Sequence, residues 1–255
     1  MTKTATLSRR SLLKGGGMLV VSIGAAVSLE TVLATTAARA QVVKPPLHPE
    51  QLDSFIAVDK AGNVTAFFGK MDMGHGLHTA VGQIVAEEMD VAMERVTVVM
   101  GDTASSVNQG GASGSTGLQL GGKQMRLAAA EARRVLVDLA SQKLGVPAAQ
   151  LTVADGVVSV TGSPARSIKY GELLTDGYFN VKLKWNNQIG NGLESTGQAT
   201  PKNPSEHKVV GKPIKRTDVA GRVFGTMDFI TDVRVPGMVH GRMIRPPVAG
   251  ASIVN

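Results

Sequence analysis

The chain has 255 residues, 43% of them hydrophobic and 18% charged, which is enough apolar matter for a packed core and too much for wholesale disorder. Its formal charge of +7 is unevenly spread: residues 1–40 carry +4 of it (Lys3, Arg9, Arg10, Lys14 and Arg39 against Glu30), and the +3 left for the remainder removes the main support for a nucleic-acid partner. Cysteine is absent, which excludes a disulfide, a Cys-ligated zinc or iron–sulfur site and a Cys nucleophile.

The chain opens with Ser8-Arg9-Arg10-Ser11-Leu12-Leu13-Lys14, then an apolar, small-residue stretch from Gly15 to about Ala34, then Ala38-Arg39-Ala40. That order of basic, apolar and small-residue regions is the order of a secretory signal. The paired arginines point to the twin-arginine route and hence to the periplasm. A membrane anchor is the competing reading, but the Gly/Ala/Ser/Thr content and the A-x-A end favour cleavage. Residues 1–40 are therefore expected to be a twin-arginine signal peptide, with Gln41 as the mature N-terminus.

Pro45, Pro46 and Pro49 suggest an extended lead-in. Phe55–Val58 and Val64–Phe68 flank Asp59-Lys60-Ala61-Gly62-Asn63, a hairpin signal. From Thr79 the apolar period becomes helical, with Glu87 and Glu88 read as outward and solvated. Val96–Met100 reads as a strand. Gly101–Gly117 is a long Gly/Ser/Thr/Asn loop with almost nothing to bury, and such loops are usually functional or disordered. Leu118–Leu144 reads as a helix, capped by Thr116-Gly117-Leu118-Gln119 and stopped by Gly145 and Pro147, with Leu127, Val135, Leu139 and Leu144 among its buried candidates. A second hairpin is expected at Leu151–Val160 around Asp155-Gly156. Residues 186–207 look like a linker. A β-rich segment follows from Val209, including Val223–Phe229 and Met238–Ile244. The fold class expected is α+β: a sheet-and-helix domain over 41–185, a linker over 186–207 and a second, incomplete domain over 208–255.

Two constellations stand out. Met73-Gly74-His75-Gly76-Leu77-His78-Thr79 and Gly110-Gly111-Ala112-Ser113-Gly114-Ser115-Thr116-Gly117 each place unencumbered backbone N–H groups at a helix start. Such donors, with the partial positive charge of a helix N-terminus, suit an anionic or hydrogen-bond-rich ligand. Neither loop is a standard nucleotide fingerprint, and Gly111-Ala112-Ser113-Gly114-Ser115 does not fit the frame of a hydrolase elbow. His75 and His78 lack a third metal ligand nearby. Each loop alone could be a plain connection, and Thr116 only a helix cap. Two of them could clasp one large polar cofactor.

Taken together and in order, Gly69-Lys70-Met71-Asp72-Met73-Gly74-His75-Gly76-Leu77-His78-Thr79, Gln83–Glu88, Gly101-Asp102-Thr103, Ala112–Thr116 and Gly122 resemble the molybdenum hydroxylases, the xanthine dehydrogenase and aldehyde oxidase family. A second stretch is similar to the opening of that family's a/b hammerhead domain: Val210-Gly211-Lys212-Pro213, Arg216-Thr217-Asp218 and Gly225–Phe229. The order of the pieces resembles the isoquinoline 1-oxidoreductase type of large subunit. The resemblance implies a molybdopterin-binding domain piece over 41–185 and the start of a hammerhead domain over 208–255. It implies a molybdopterin cytosine dinucleotide cofactor, held by Gly74, His75, Gly76, Ala112, Ser113, Gly114, Ser115 and Thr116. His75 stands where the family has a glutamine, and an imidazole offers one donor or acceptor where an amide offers both. Only Ser115 matches a family side chain closely; its neighbours carry over as backbone donors. The family's catalytic glutamate lies in a late Gly-Glu motif with no counterpart here, so no residue of this sequence is assigned a catalytic or metal-ligating role. The implied partners are a small iron–sulfur subunit, a cytochrome c electron acceptor and an aldehyde or N-heterocycle substrate. A second reading is a non-catalytic exported fragment that binds a cofactor or a partner.

Overall fold

The computed structural model describes residues 45–174 and 177–252. The expected signal peptide lies outside the described residues. Among them, the anticipated hairpin forms from β1 (Ile56–Val58) and β2 (Val64–Phe68), with Val58 opposite Val64. Asp59 closes its turn by accepting the Asn63 N–H at 2.8 Å. Strand β2 buries Val64, Ala66 and Phe68 on one face, the period of two that a half-buried strand requires. Strand β3 (Val96–Met100) runs parallel beside β2. A parallel pair needs a crossover, and helix α1 (Leu77–Met89) supplies it.

Helix α1 buries Leu77, Val81, Val85 and Met89, and ends at Asp90 in the left-handed region (φ 50°). A π-helical turn (Gly117–Gly122) leads into α2 (Lys123–Leu144), which packs across α1. The buried row of α2 is Met125, Ala128, Ala129, Ala132, Leu136 and Ala140, at the i, i+3, i+4 spacing of one helical face. The alanines let the two helices approach closely. Leu127, Val135, Leu139 and Leu144 sit beside that row and are only half-buried. Truncating Leu136 to alanine would cost about 2–5 kcal/mol.

Strands β4 (Leu151–Ala154), β5 (Val157–Val160) and β6 (Ser163–Lys169) form an antiparallel meander. The sequence does not announce β6, because apart from Ile168 its residues are exposed. Strand β8 (Ser195–Thr196) lies in the region expected to be a linker and pairs with β7 (Lys184–Trp185), just before it. That region packs rather than hangs free. Leu193 and Ser195 are buried, and the Gln124 side chain both donates to the Ser195 carbonyl (2.7 Å) and accepts its N–H (2.9 Å).

Three carboxylates hold the chain beyond β8 down, and two of them overturn an expectation. Glu87 and Glu88 are 2% exposed, not solvated. Glu87 accepts the N–H groups of Lys208, Val209 and Val210 at 2.6–3.0 Å. Glu88 accepts the Lys202 N–H and pairs with Arg126 at 2.8 Å. Glu131 accepts the N–H groups of Gln198 and Ala199 and pairs with Arg134. A buried carboxylate is tolerated only with such partners. The outward reading failed because those partners lie about 70–120 residues away in sequence.

From Val219 the chain forms only a short helix, α3 (Val219–Val223). The expected strands at Val223–Phe229 and Met238–Ile244 are not formed. Their β-forming side chains are exposed, Val239 at 89% and Ile244 at 94%. A strand exists by pairing, and none of the described strands pairs with this segment.

Candidate functional site

The two glycine loops lie at the same end of the fold. Both follow from β2 and β3: the first leaves the end of β2, and the second returns from β3 to start the π-helical turn. They meet at Gly69, where a Cβ would stand 1.8 Å from the Val107 carbonyl oxygen, so only glycine permits the approach. The Gln109 side chain accepts the Gly69 N–H at 2.7 Å. Further along, a Cβ on Gly117 would lie 2.8 Å from Leu77 Cδ2 and 3.6 Å from His75 Nε2, so His75 reaches the mouth of the second loop. His75, between Gly74 and Gly76, thus lies beside Gly117, the residue that follows Ser113–Thr116.

The loops are not alike. In the first, the Asp72 carboxylate accepts the N–H groups of Gly74 (2.8 Å), Gly76 (3.2 Å) and His78 (3.1 Å). The donors that the sequence offers to an anion are taken by the loop's own side chain. Burial alone raises the Asp72 pKa; the N–H bonds from His78 and Gly74 and the nearby His75 outweigh it and hold the carboxyl below its ordinary range. Gly74 and Gly76 remain as turn formers, at φ 101° and 79°, with Gly76 as the N-cap of α1. His75 is exposed, its Nδ1 3.4 Å from Asp72. Arg216 covers the outer side: its guanidinium donates to the Gly74 carbonyl (3.3 Å) and pairs with Asp218 (2.7 Å). The Arg216 hydrogen bonds push the Asp218 carboxyl down to about 2.

His78, the other histidine of this loop, is a strut. Its Nε2 lies 3.0 Å from the Val98 carbonyl and its Nδ1 3.1 Å from Thr217 Oγ1. A carbonyl only accepts, so Nε2 carries the proton and Nδ1 accepts from the threonine.

In the second loop, among the described residues, the donors are not taken up by the loop itself. Ser113, Gly114 and Ser115 are exposed, and Ala112 half-buried. Gly114 (φ 58°) and Ser115 (φ 61°) are consecutive left-handed residues that turn the chain sharply. Among the described residues no protein acceptor meets the N–H of Ala112, Ser113, Gly114 or Ser115. Thr116 does not cap the helix as expected; it lies in the right-handed region and its Oγ1 reaches back to the carbonyls of Gly111 (2.9 Å) and Ser113 (2.7 Å). It braces the loop instead. The segment Gly110–Gly117 contains no acidic side chain, and the donor set of outward N–H groups and two hydroxyls suits a phosphorylated, amide-bearing ligand.

The sequence reading missed Asp72, which closes the first loop, and Lys70, which lies 2% exposed beneath the second. The one available signal was an acidic residue two positions before a glycine turn, the spacing of an Asx turn.

Comparison with known proteins places this geometry in context. Residues 6–225 match the profile of the molybdopterin cofactor-binding domain. The chain is 36% identical to a nicotinate dehydrogenase chain of Pseudomonas putida, over 95% of this chain and 19% of that one. It is 28% identical to the beta chain of isoquinoline 1-oxidoreductase of Brevundimonas diminuta, over 97% of this chain and 34% of that one. It thus spans about a fifth and a third of those two lengths. Among solved structures, the CO dehydrogenase of Oligotropha carboxidovorans aligns over 46% of this chain and 15% of that one, at 24% identity and a TM-score of 0.43.

Proposed function

The chain belongs to the molybdopterin cofactor-binding domain family, and from that premise we propose that it forms the cofactor-holding part of a molybdenum hydroxylase large subunit. The whole subunit would oxidise an aldehyde or an N-heterocycle, with water as the oxygen source. The observation that carries the reading is the second loop, whose N–H groups at Ala112, Ser113, Gly114 and Ser115 meet no protein acceptor among the described residues, with His75 beside the loop's end at Gly117. Ala112, Ser113, Gly114 and Ser115 would hold the phosphates and pterin amides of a molybdopterin cytosine dinucleotide, with Thr116 fixing their direction. His75 would supply a single hydrogen bond at the edge of the pterin. When bound, the group supplies dithiolene sulfurs to molybdenum and the two-electron chemistry; this chain binds and orients it. Electrons would leave to a small iron–sulfur subunit and then to a cytochrome c. The names of the relatives include both substrate classes: a nicotinate dehydrogenase and an isoquinoline oxidoreductase on one side, a membrane-bound aldehyde dehydrogenase on the other.

The test is to purify the chain, and a form extended to the length of its relatives, from a strain that makes the cofactor. Molybdenum and pterin near one per chain are expected. Metal-free, pterin-free protein in both forms would overturn the reading. Export through the twin-arginine route is a separate part of it: replacing Arg9 and Arg10 by lysine should leave the protein in the cytoplasm, and normal export would refute that route.

A further inference from the structure

We infer that Lys70 is the positioning residue of the second loop, an assignment that rests on the cofactor reading above. Its side chain is buried, and its ammonium donates to the Gly111 carbonyl at 2.8 Å and to Asn191 Oδ1 at 2.6 Å. No carboxylate of the described residues pairs with it within 4.0 Å. A buried cation held by two neutral oxygens is a costly arrangement, and replacing it with an apolar side chain would be the cheaper way to fill the space. The fold also makes room for it: a Cβ on Gly121 would stand 3.0 Å from Lys70 Cδ.

The consequence for the loop follows from peptide geometry. In a trans peptide the C=O and the following N–H point to opposite sides, and no cis bond occurs among the described residues. Drawing the Gly111 oxygen inward onto the ammonium therefore aims the Ala112 N–H outward. Thr116 Oγ1 acts on the Ser113 carbonyl in the same way, which turns the Gly114 N–H outward. Lys70 and Thr116 thus set two of the donors on the open face. Lys70 adds a positive charge that no carboxylate of the described residues pairs with within 4.0 Å, and a buried charge is screened less by salt than an exposed one. Asn191 joins the same point from the β7–β8 connection, and the Gly190 N–H donates to the Asn108 carbonyl at 2.9 Å, so the loop is clamped from the side as well.

The test uses the full chain and two readouts. Hydrogen exchange of the peptide spanning residues 110–117, read at its hydrogen-bonded Gly110 and Thr116 N–H groups, reports the loop itself. Calorimetric titration with inorganic pyrophosphate reports its hold on an anion. Lys70→Met should raise exchange in that peptide about ten-fold, with α1 unchanged, and weaken pyrophosphate binding about ten-fold, the ratio expected for one charged hydrogen bond. Lys70→Arg should restore most of the binding. Asn191→Ala, which keeps the charge, should loosen the loop while leaving pyrophosphate affinity within about two-fold. Unchanged exchange and unchanged pyrophosphate binding in Lys70→Met would overturn the assignment. Should Lys70→Met fail to fold, Asn191→Ala decides it: exchange like the wild type in that variant would overturn it. A wild-type chain that does not bind pyrophosphate would count against the cofactor reading, while the exchange comparison still decides the role of Lys70.

Discussion

Two loops of similar composition, both glycine-rich and both opening helices, do opposite things. The first folds its donors onto its own aspartate; the second turns its donors out and is braced from beneath by a lysine and from within by a threonine. Glycine content therefore marks where the backbone can turn tightly, not which way its N–H groups face. That direction is set by the side chain nearest the turn: an acceptor draws N–H groups inward, and a donor that draws in carbonyls sends the N–H groups out.

The sharpest way to break this contrast is Asp72→Ala. It should destabilise the chain by about 2–3 kcal/mol in urea unfolding, because three N–H groups lose a charged acceptor while water compensates only in part. The same residue makes the contrast pH-dependent. Its pKa is lowered in the folded state, so its contribution is fully present above the unfolded value of about 3.9 and is lost as pH falls through the lowered one. Gly110–Gly117 holds no titratable side chain. Hydrogen exchange below pH 4 should thus loosen residues 72–78 before residues 110–117; equal loosening would remove the asymmetry.

In the open loop a bulky side chain should do the reverse, sparing stability and harming retention. Ser115→Trp is expected to lower molybdenum content about ten-fold while costing no more than about 1 kcal/mol of unfolding free energy, the cost being the bulky side chain at a left-handed but exposed position. Unchanged molybdenum would sink the assignment of this loop. Thr116→Val, which keeps the shape but removes the hydroxyl, should cost about 1 kcal/mol and raise exchange at the Gln119 N–H, which bonds to the Ser115 carbonyl.

How much of this was legible beforehand depends on how far each partner lies along the chain. The β1–β2 hairpin, strand β3 and the two helices announce themselves by local period and turn residues, and the structure has them within a few positions. The π-helical start of α2 hid behind a plausible capping box, because Thr116 finds its acceptors behind it rather than ahead. The roles of Glu87, Glu88 and Glu131 were illegible, since the N–H groups they hold come from residues 198–210, which the sequence presents as polar linker and the opening of a β-rich segment. Asp72 was nearly legible: its partners are two, four and six residues on, and only the attention given to the glycines obscured it.

The smallest expected effect tests whether the cover over the first loop matters to its closure. Arg216 donates to the Gly74 carbonyl, but its main partner is Asp218, two residues away on its own segment. Such a half-exposed pair contributes little, and its bond to Gly74 is long. Arg216→Ala should therefore leave the urea midpoint nearly unchanged, while exchange of the Gly74 and Gly76 N–H groups stays slow, because Asp72 and not Arg216 holds them. If those two N–H groups instead exchange as fast in Arg216→Ala as in Asp72→Ala, the first loop is closed by its lid rather than by its own aspartate. The rule that the nearest side chain decides donor direction then fails at this loop.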